Sequence, residues 1–392
     1  MKPLLWRGVA AAALAALAGS VAFTIFGLGA SGAVPQTGPV AVRTGPQSPP
    51  GRFVRGDGLY NGRSKREQLS ASVSGALMGA LSPVAVSSPD ASDVVYNTWH
   101  ELRPVDTERS FSKQGISDGE ALAVPSLRVH DATGKDFLLE EGAYSAAWRS
   151  DGAIAFVKGT DASFRAGHTY TGQVVVRRGV HGRAVAWTTD PARYVVYAWA
   201  GNRLLFYRVG LGERLELLVA DGPRDVRPLA DGSAVALSPD GRRVTVLSED
   251  ARSVRVLDVA TGREQAWMDV TTTTPSLAWV GYSGAWLGDH VVAPANPGLA
   301  VFHVGSSSIE LEQVLSLDQA EFPVGVQQPR FTDDAANQIV ATADVPPKAG
   351  NAGVSLFLSC DRIARSCERS ESAPVREWLR PVENPSRPEG GR

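Results

Sequence analysis

Cys360 and Cys367 are the only cysteines of the chain and bracket the hexapeptide DRIARS, with VSLFLSC before and CERSESA after. Two apolar runs joined by so short a polar stretch predict a hairpin whose strands hold the two sulfurs opposite each other, within reach of a disulfide. Free structural thiols are the competing expectation. A metal or redox role would need companion Cys or His residues that the sequence does not place nearby. The histidines are His100, His130, His168, His181, His290 and His303. They form no HExxH and are spread along the chain, so they are expected on turns and strand surfaces; a metal site could only be assembled in three dimensions, at a central axis. Aspartates recur at 90, 151, 190, 240, 289 and 333. They invite a calcium reading, but aspartate bonds its own backbone two residues on, and turn formation is the simpler expectation. No Gly-x-Ser-x-Gly and no GxxxxGK[ST] occurs. No catalytic residue, metal ligand or cofactor is therefore assigned, and the one site predicted is the disulfide Cys360–Cys367.

The elements that hold these residues come from a repeat. Six segments align as strand, Asp turn, strand: VAVSSPDASDVVYNTW, SAAWRSDGAIAFV, AVAWTTDPARYVVYAW, AVALSPDGRRVTVLS, AWLGDHVVAP and PRFTDDAANQIVATA. Each is followed by a further strand, beginning near Leu127, Gln173, Arg203, Val254, Leu299 and Val354, and often by a fourth such as EQAWMDV. Four strands per unit at this spacing predict radially arranged four-stranded antiparallel sheets. Trp99, Trp148, Trp187, Trp199, Trp267, Trp279 and Trp286 fall on strand positions. Packing between twisted sheets uses large flat side chains, so most are expected in the core, with an aromatic ligand groove as the alternative.

The segment LSPDGRRVTVLSEDARSVRVLDVATGRE at 237–264 resembles the blades of WD40-like and TolB-like β-propellers of the bacterial cell envelope. That resemblance implies an all-β, six-bladed β-propeller of four-stranded antiparallel blades. The segments around Asp289 and Asp333 depart from the pattern, and no Gly-His…Trp-Asp pairs of WD40 blades occur. Such propellers are mostly binding platforms, and the same fold hosts enzymes.

The chain has 392 residues, 39 basic and 41 acidic, for a net charge of -2. Without a basic stripe to neutralise phosphates, a nucleic-acid partner is excluded. Residues 8–30 carry no charge and follow Lys2 and Arg7. At 1.5 Å per helical residue they span a bilayer's hydrocarbon core of roughly 30 Å, with the N-terminus inside. A cleaved signal peptide ending at the small-x-small site near Ala33 is the alternative.

The expected organisation is a membrane anchor or signal over 1–33, a disordered Pro/Gly-rich linker over 34–73, the propeller over 74–380 and a disordered tail over 381–392. The function expected is a non-catalytic binding or scaffold module outside the cytoplasm, partnered by an envelope protein or glycan. The alternative is an extracytoplasmic hydrolase or lyase with acidic residues in the central channel. Two long loops, near 97–125 and 343–353, are expected side by side on one rim as a binding site, on the premise that the first and sixth blades are neighbours.

Overall fold

A computed structural model describes residues 39–44, 52–55, 58–61, 64–70, 83–101, 123–159, 171–210, 214–270, 284–295, 298–318, 326–345, 354–369 and 377–378. The hydrophobic segment 8–30, the tail 381–392, His168, Trp279 and most of both expected loops, 102–122 and 346–353, lie outside them. No helix among the described residues is long and apolar enough to cross a membrane.

The described residues are all-β. In chain order the strands are β1 (Ala41–Thr44), β2 (Arg52–Arg55), β3 (Gly58–Asn61), β4 (Ser64–Gln68), β5 (Ala85–Ser87), β6 (Val94–Glu101), β7 (Ala123–His130) and β8 (Asp136–Glu141). There follow β9 (Ala143–Trp148), β10 (Ala153–Gly159), β11 (Gly172–Arg178), β12 (Ala184–Ala186), β13 (Tyr194–Ala200), β14 (Arg203–Val209), β15 (Leu215–Gly222) and β16 (Asp225–Asp231). Next are β17 (Ser233–Leu237), β18 (Arg243–Leu247), β19 (Ser253–Asp258), β20 (Glu264–Asp269), β21 (Ala285–Leu287), β22 (His290–Ala295), β23 (Gly298–Val304) and β24 (Ile309–Ser316). The last are β25 (Val326–Phe331), β26 (Gln338–Val345), β27 (Val354–Asp361), β28 (Ser366–Arg369) and β29 (Glu377–Trp378).

They pair into seven sheets among the described residues. Sheets 2 to 7 each take four consecutive strands, β5–β8 through β25–β28, paired antiparallel in chain order. Sheet 1 is β29-β2-β3-β4, and β1 adds to the outer edge of β28 as a parallel fifth strand of sheet 7. The sheet count corrects the expected six. The extra sheet draws three strands from the stretch expected to be linker, where short strands such as SKREQ have no apolar period, and its fourth from the far end of the chain.

Both faces of a sheet are buried. In sheet 4, Val196, Leu204, Phe206 and Leu218 face sheet 3, while Val195, Leu205, Tyr207 and Leu217 face sheet 5. That is why these strands read as nearly continuous apolar runs rather than an alternation. Separate apolar clusters join sheets 1 and 2, 2 and 3, 3 and 4, 4 and 5, 5 and 6, and 6 and 7. Leu59 of β3 packs with Val94 and Tyr96 of β6, so the neighbour of sheet 2 on this side is sheet 1. The two long loops belong to sheets 2 and 7; β2–β4 of sheet 1 precede sheet 2 in the chain and β29 of sheet 1 follows sheet 7, and the premise of adjacency is corrected.

First strands bulge. In β9, β13, β17 and β25 the register slips against the second strand, and in β13 and β17 a hydroxyl from the preceding sheet meets the backbone beside the slip. Ser145 Oγ accepts from the Val196 amide at 2.8 Å and donates to its carbonyl at 3.1 Å. Tyr207 does the same for Ala234, at 2.8 and 3.4 Å. A first strand has only one paired edge, so these bonds satisfy buried groups that would otherwise cost about 1–3 kcal/mol each.

Candidate functional site

Turns between first and second strands and between third and fourth strands emerge on one side of each sheet. Asp90, Asp151, Asp240, Asp289 and Asp333 all lie on first-to-second turns. Asp190 does not: β12 and β13 belong to different sheets, and the corresponding turn of sheet 4 is Gly201-Asn202. The error came from taking AVAW and YVVYAW as a hairpin.

These aspartates are turn formers. Ser238 Oγ donates to Asp240 Oδ1 at 2.6 Å, the Arg242 amide donates to the same oxygen at 3.0 Å, and the Arg243 amide donates to Ser238 Oγ at 2.8 Å. Ser88 with Asp90 and Ser248 with Asp250 repeat the arrangement. Hydrogen bonds led by the Ser88 hydroxyl hold Asp90 down at about 2.

Between the turns of sheets 4 and 5 lies a cleft of about 570 Å³ lined by Asn202, Arg203, Asp221, Asp240, Arg242 and Asp258 among others. Its floor requires glycine: Gly241 has φ +67°, and a Cβ there would stand 3.0 Å from the Gly201 nitrogen. Arg203 Nε meets Asp221 Oδ1 at 2.6 Å, and Arg227 donates to the carbonyls of Val259 and Ala260 at 3.2 and 2.5 Å. The Thr261 hydroxyl and amide hold the Asp258 carboxyl below its ordinary range against a smaller effect of burial. Burial pushes Asp240 up, but Ser238, the Arg242 amide and the nearby guanidiniums outweigh it and leave it low. The cleft thus presents ionised carboxylates beside guanidiniums, suited to ion pairing and hydrogen bonding with a polar surface.

A second cluster joins sheet 1 to sheet 2. Asp136 accepts from the Ser70 amide and hydroxyl at 3.0 and 2.7 Å, from the Tyr96 hydroxyl at 2.5 Å and from Arg128 Nε at 2.8 Å. His130, almost fully buried, bonds Glu67 of β4. Burial and then the bond to Asp136 push the Tyr96 hydroxyl up, so it stays a donor. Because Ser70 is committed to a carboxylate, the cluster reads as a clasp between sheets rather than a nucleophile with its base.

Cys360 and Cys367 face each other in register across β27 and β28 and are disulfide-bonded. Trp148, Trp187 and Trp286 are buried as expected for most of the set, Trp199 is half-buried, and Trp267 on the outer strand β20 is 58% exposed. Trp99 and His100 lie on β6. His181 stacks on Phe137 at 5.4 Å. The expectation that histidines do not cluster fails for one pair: His290 and His303 stand opposite each other on β22 and β23, ring centroids 5.7 Å apart. The signal was present, since both strands were recognised and the turn between them fixes which residues oppose. Burial lowers His290. As the side chains stand, no group of three or more His, Cys, Asp and Glu among the described residues could hold a metal ion.

No family model matches the chain, and no curated protein does. Its structural neighbours are TolB-like and WD40-type β-propellers. TolB from Acinetobacter baumannii is 15% identical, with 74% of this chain and 67% of that one covered at a TM-score of 0.40. The Cps50 (Swd1) β-propeller domain of Myceliophteria thermophila is 10% identical over 77% and 89%, at 0.46. Oligogalacturonate lyase from Vibrio parahaemolyticus is 12% identical over 70% and 76%, at 0.44. The propeller assignment rests on the strand order above, and no ligand or reaction of these neighbours transfers to this chain on such likeness.

Proposed function

We propose that the seven sheets close into a ring as seven blades and that the protein is an exported, non-catalytic binding platform. Residues 8–30 tether it to the cell membrane with the propeller outside the cytoplasm; its partner is an envelope protein or glycan that engages the turn-face cleft. Ring closure is supported by β29, which runs on from sheet 7 into sheet 1, and by Val340 and Phe357, buried on the face of sheet 7 turned away from sheet 6.

The observation that carries the platform reading is the composition of the first strands: β5, β9 and β13 pack in succession, as do β17, β21 and β25, as the lining of a central channel would. In sheets 2 to 7 these strands, AVS, AYSAAW, YVVYAWA, SAVAL, AWL and VQQPRF, contain no Asp, Glu or His; β29, the corresponding strand of sheet 1, carries Glu377. A hydrolase or lyase working in that channel would need paired acid–base groups there; the first strands of sheets 2 to 7 supply none to partner Glu377, which favours the platform over the enzyme.

The test is capture from detergent-solubilised membranes with partners quantified by mass spectrometry. Arg242→Glu, which reverses an exposed charge lining the cleft and leaves the turn carboxylates in place, is expected to lose the principal partner at least tenfold while keeping the native thermal midpoint. Undiminished capture sinks the cleft. A reporter fused after Arg392 that is active only in the cytoplasm sinks export.

A further inference from the structure

We propose that His290, His303 and Glu312 form a binding site for a divalent transition ion of the zinc class on the turn face of sheet 6, independently of the partner reading above. His290 opens β22 and His303 lies one residue before the end of β23. On the neighbouring rung the Val304 amide donates to the Asp289 carbonyl at 2.7 Å. The two histidines are therefore a non-hydrogen-bonded pair, the kind in which facing side chains approach closest and share a face.

Glu312 of β24 completes the set. His290 Nε2 stands 3.4 Å from Glu312 Oε2. That is long for a charge-assisted hydrogen bond, which runs at about 2.7–2.9 Å. It equals the edge of a tetrahedron whose corners lie about 2.1 Å from its centre, the zinc–nitrogen and zinc–oxygen distance. The same construction sets two imidazole centroids on one ion about 5 Å apart. The observed 5.7 Å is closed by a small turn of the exposed His303 ring, so the site is one rotation short of assembled.

The carboxylate is aimed from behind. Arg362 donates to Glu312 Oε1 at 2.8 Å and is itself fixed by Gln313 Oε1 at 3.1 Å and the Ala336 carbonyl at 2.7 Å. Outer partners of this kind orient metal-binding carboxylates. Its positive charge opposes a cation, but its bond goes to Oε1 and leaves Oε2 facing His290. Two imidazoles with one carboxylate suit zinc, nickel or copper and not magnesium or calcium, which take oxygen ligands. A fourth position is left to water.

The test uses the full-length chain in detergent, stripped with a chelator and titrated with zinc chloride against a chromogenic zinc indicator. The native chain and His181→Gln are expected to compete for one equivalent; His290→Gln and His303→Gln each lose at least tenfold in affinity, and Glu312→Gln a few-fold. Cobalt(II) in place of zinc should give the intense visible bands of tetrahedral coordination in the native chain and lose them in His303→Gln, whose exposed position leaves folding intact. Absence of competition by the native chain overturns the proposal, and so does native affinity in either histidine variant.

Discussion

Single hydroxyls decide how the sheets join. Ser145, with φ +58° in a bulge, reaches across to the amide and carbonyl of Val196, and Tyr207 serves Ala234 in the same way. Ser145→Ala and Tyr207→Phe should each lower stability by about 1–3 kcal/mol, because two buried backbone groups lose their partner. Urea unfolding followed by tryptophan fluorescence measures this, and a change below a few tenths for both would show water replacing the hydroxyls. None of this was legible in the sequence, where residues 145 and 196 carry no mark of belonging together. The Asp turns were legible because Ser238, Asp240 and Arg243 settle their bonds within six consecutive residues. His290 and His303 fall between these cases: their contact follows from strand register, which a reader of AWLGDHVVAP and LAVFHVG could have counted out.

At the scale of elements, the β27–β28 hairpin is closed three ways: by the disulfide, by strand pairing and by Arg362 seated on β24. Its Cys360–Cys367 bond closes so short a loop that chain entropy supplies about 2.5 kcal/mol. We therefore expect Cys360→Ser, Cys367→Ser to lose no more than that and to keep a cooperative transition, read by differential scanning calorimetry with and without reductant; loss of folding would show the bond to be indispensable. The hairpin was foreseeable because its two apolar runs are adjacent. Sheet 1 was not, because Pro- and Gly-rich composition is the usual mark of a linker, and half of what identifies β2–β4 as a sheet is β29, at the other end of the sequence.

Across the whole molecule the turn carboxylates act together on acid stability. Hydrogen bonds led by Ser88 for Asp90, Arg149 for Asp151, Thr261 for Asp258 and the Ala364 amide for Asp361 hold these groups below the ordinary 3.8. A carboxyl depressed in the folded state contributes stability that is present above its unfolded value and lost as pH falls through its folded one. The urea midpoint should thus drop most steeply between about 4 and about 2, where Asp90 takes its proton, after a smaller decline below the ordinary histidine value of 6.5 because burial lowers His290. A midpoint unchanged across that window would mean the bonds are equally strong in the unfolded chain.

The pairing of Phe53 with Trp378 also sets an order of events during synthesis. Closing a loop of over three hundred residues costs roughly 5 kcal/mol in chain entropy, and β29 leaves the ribosome after every other strand. β2, β3 and β4 therefore wait with an open edge while sheets 2 to 7 stack in succession, each on its already folded neighbour. In the proposed ring this seam forms last, and the interval before it forms is when the nascent chain is most exposed to pairing with the wrong strand.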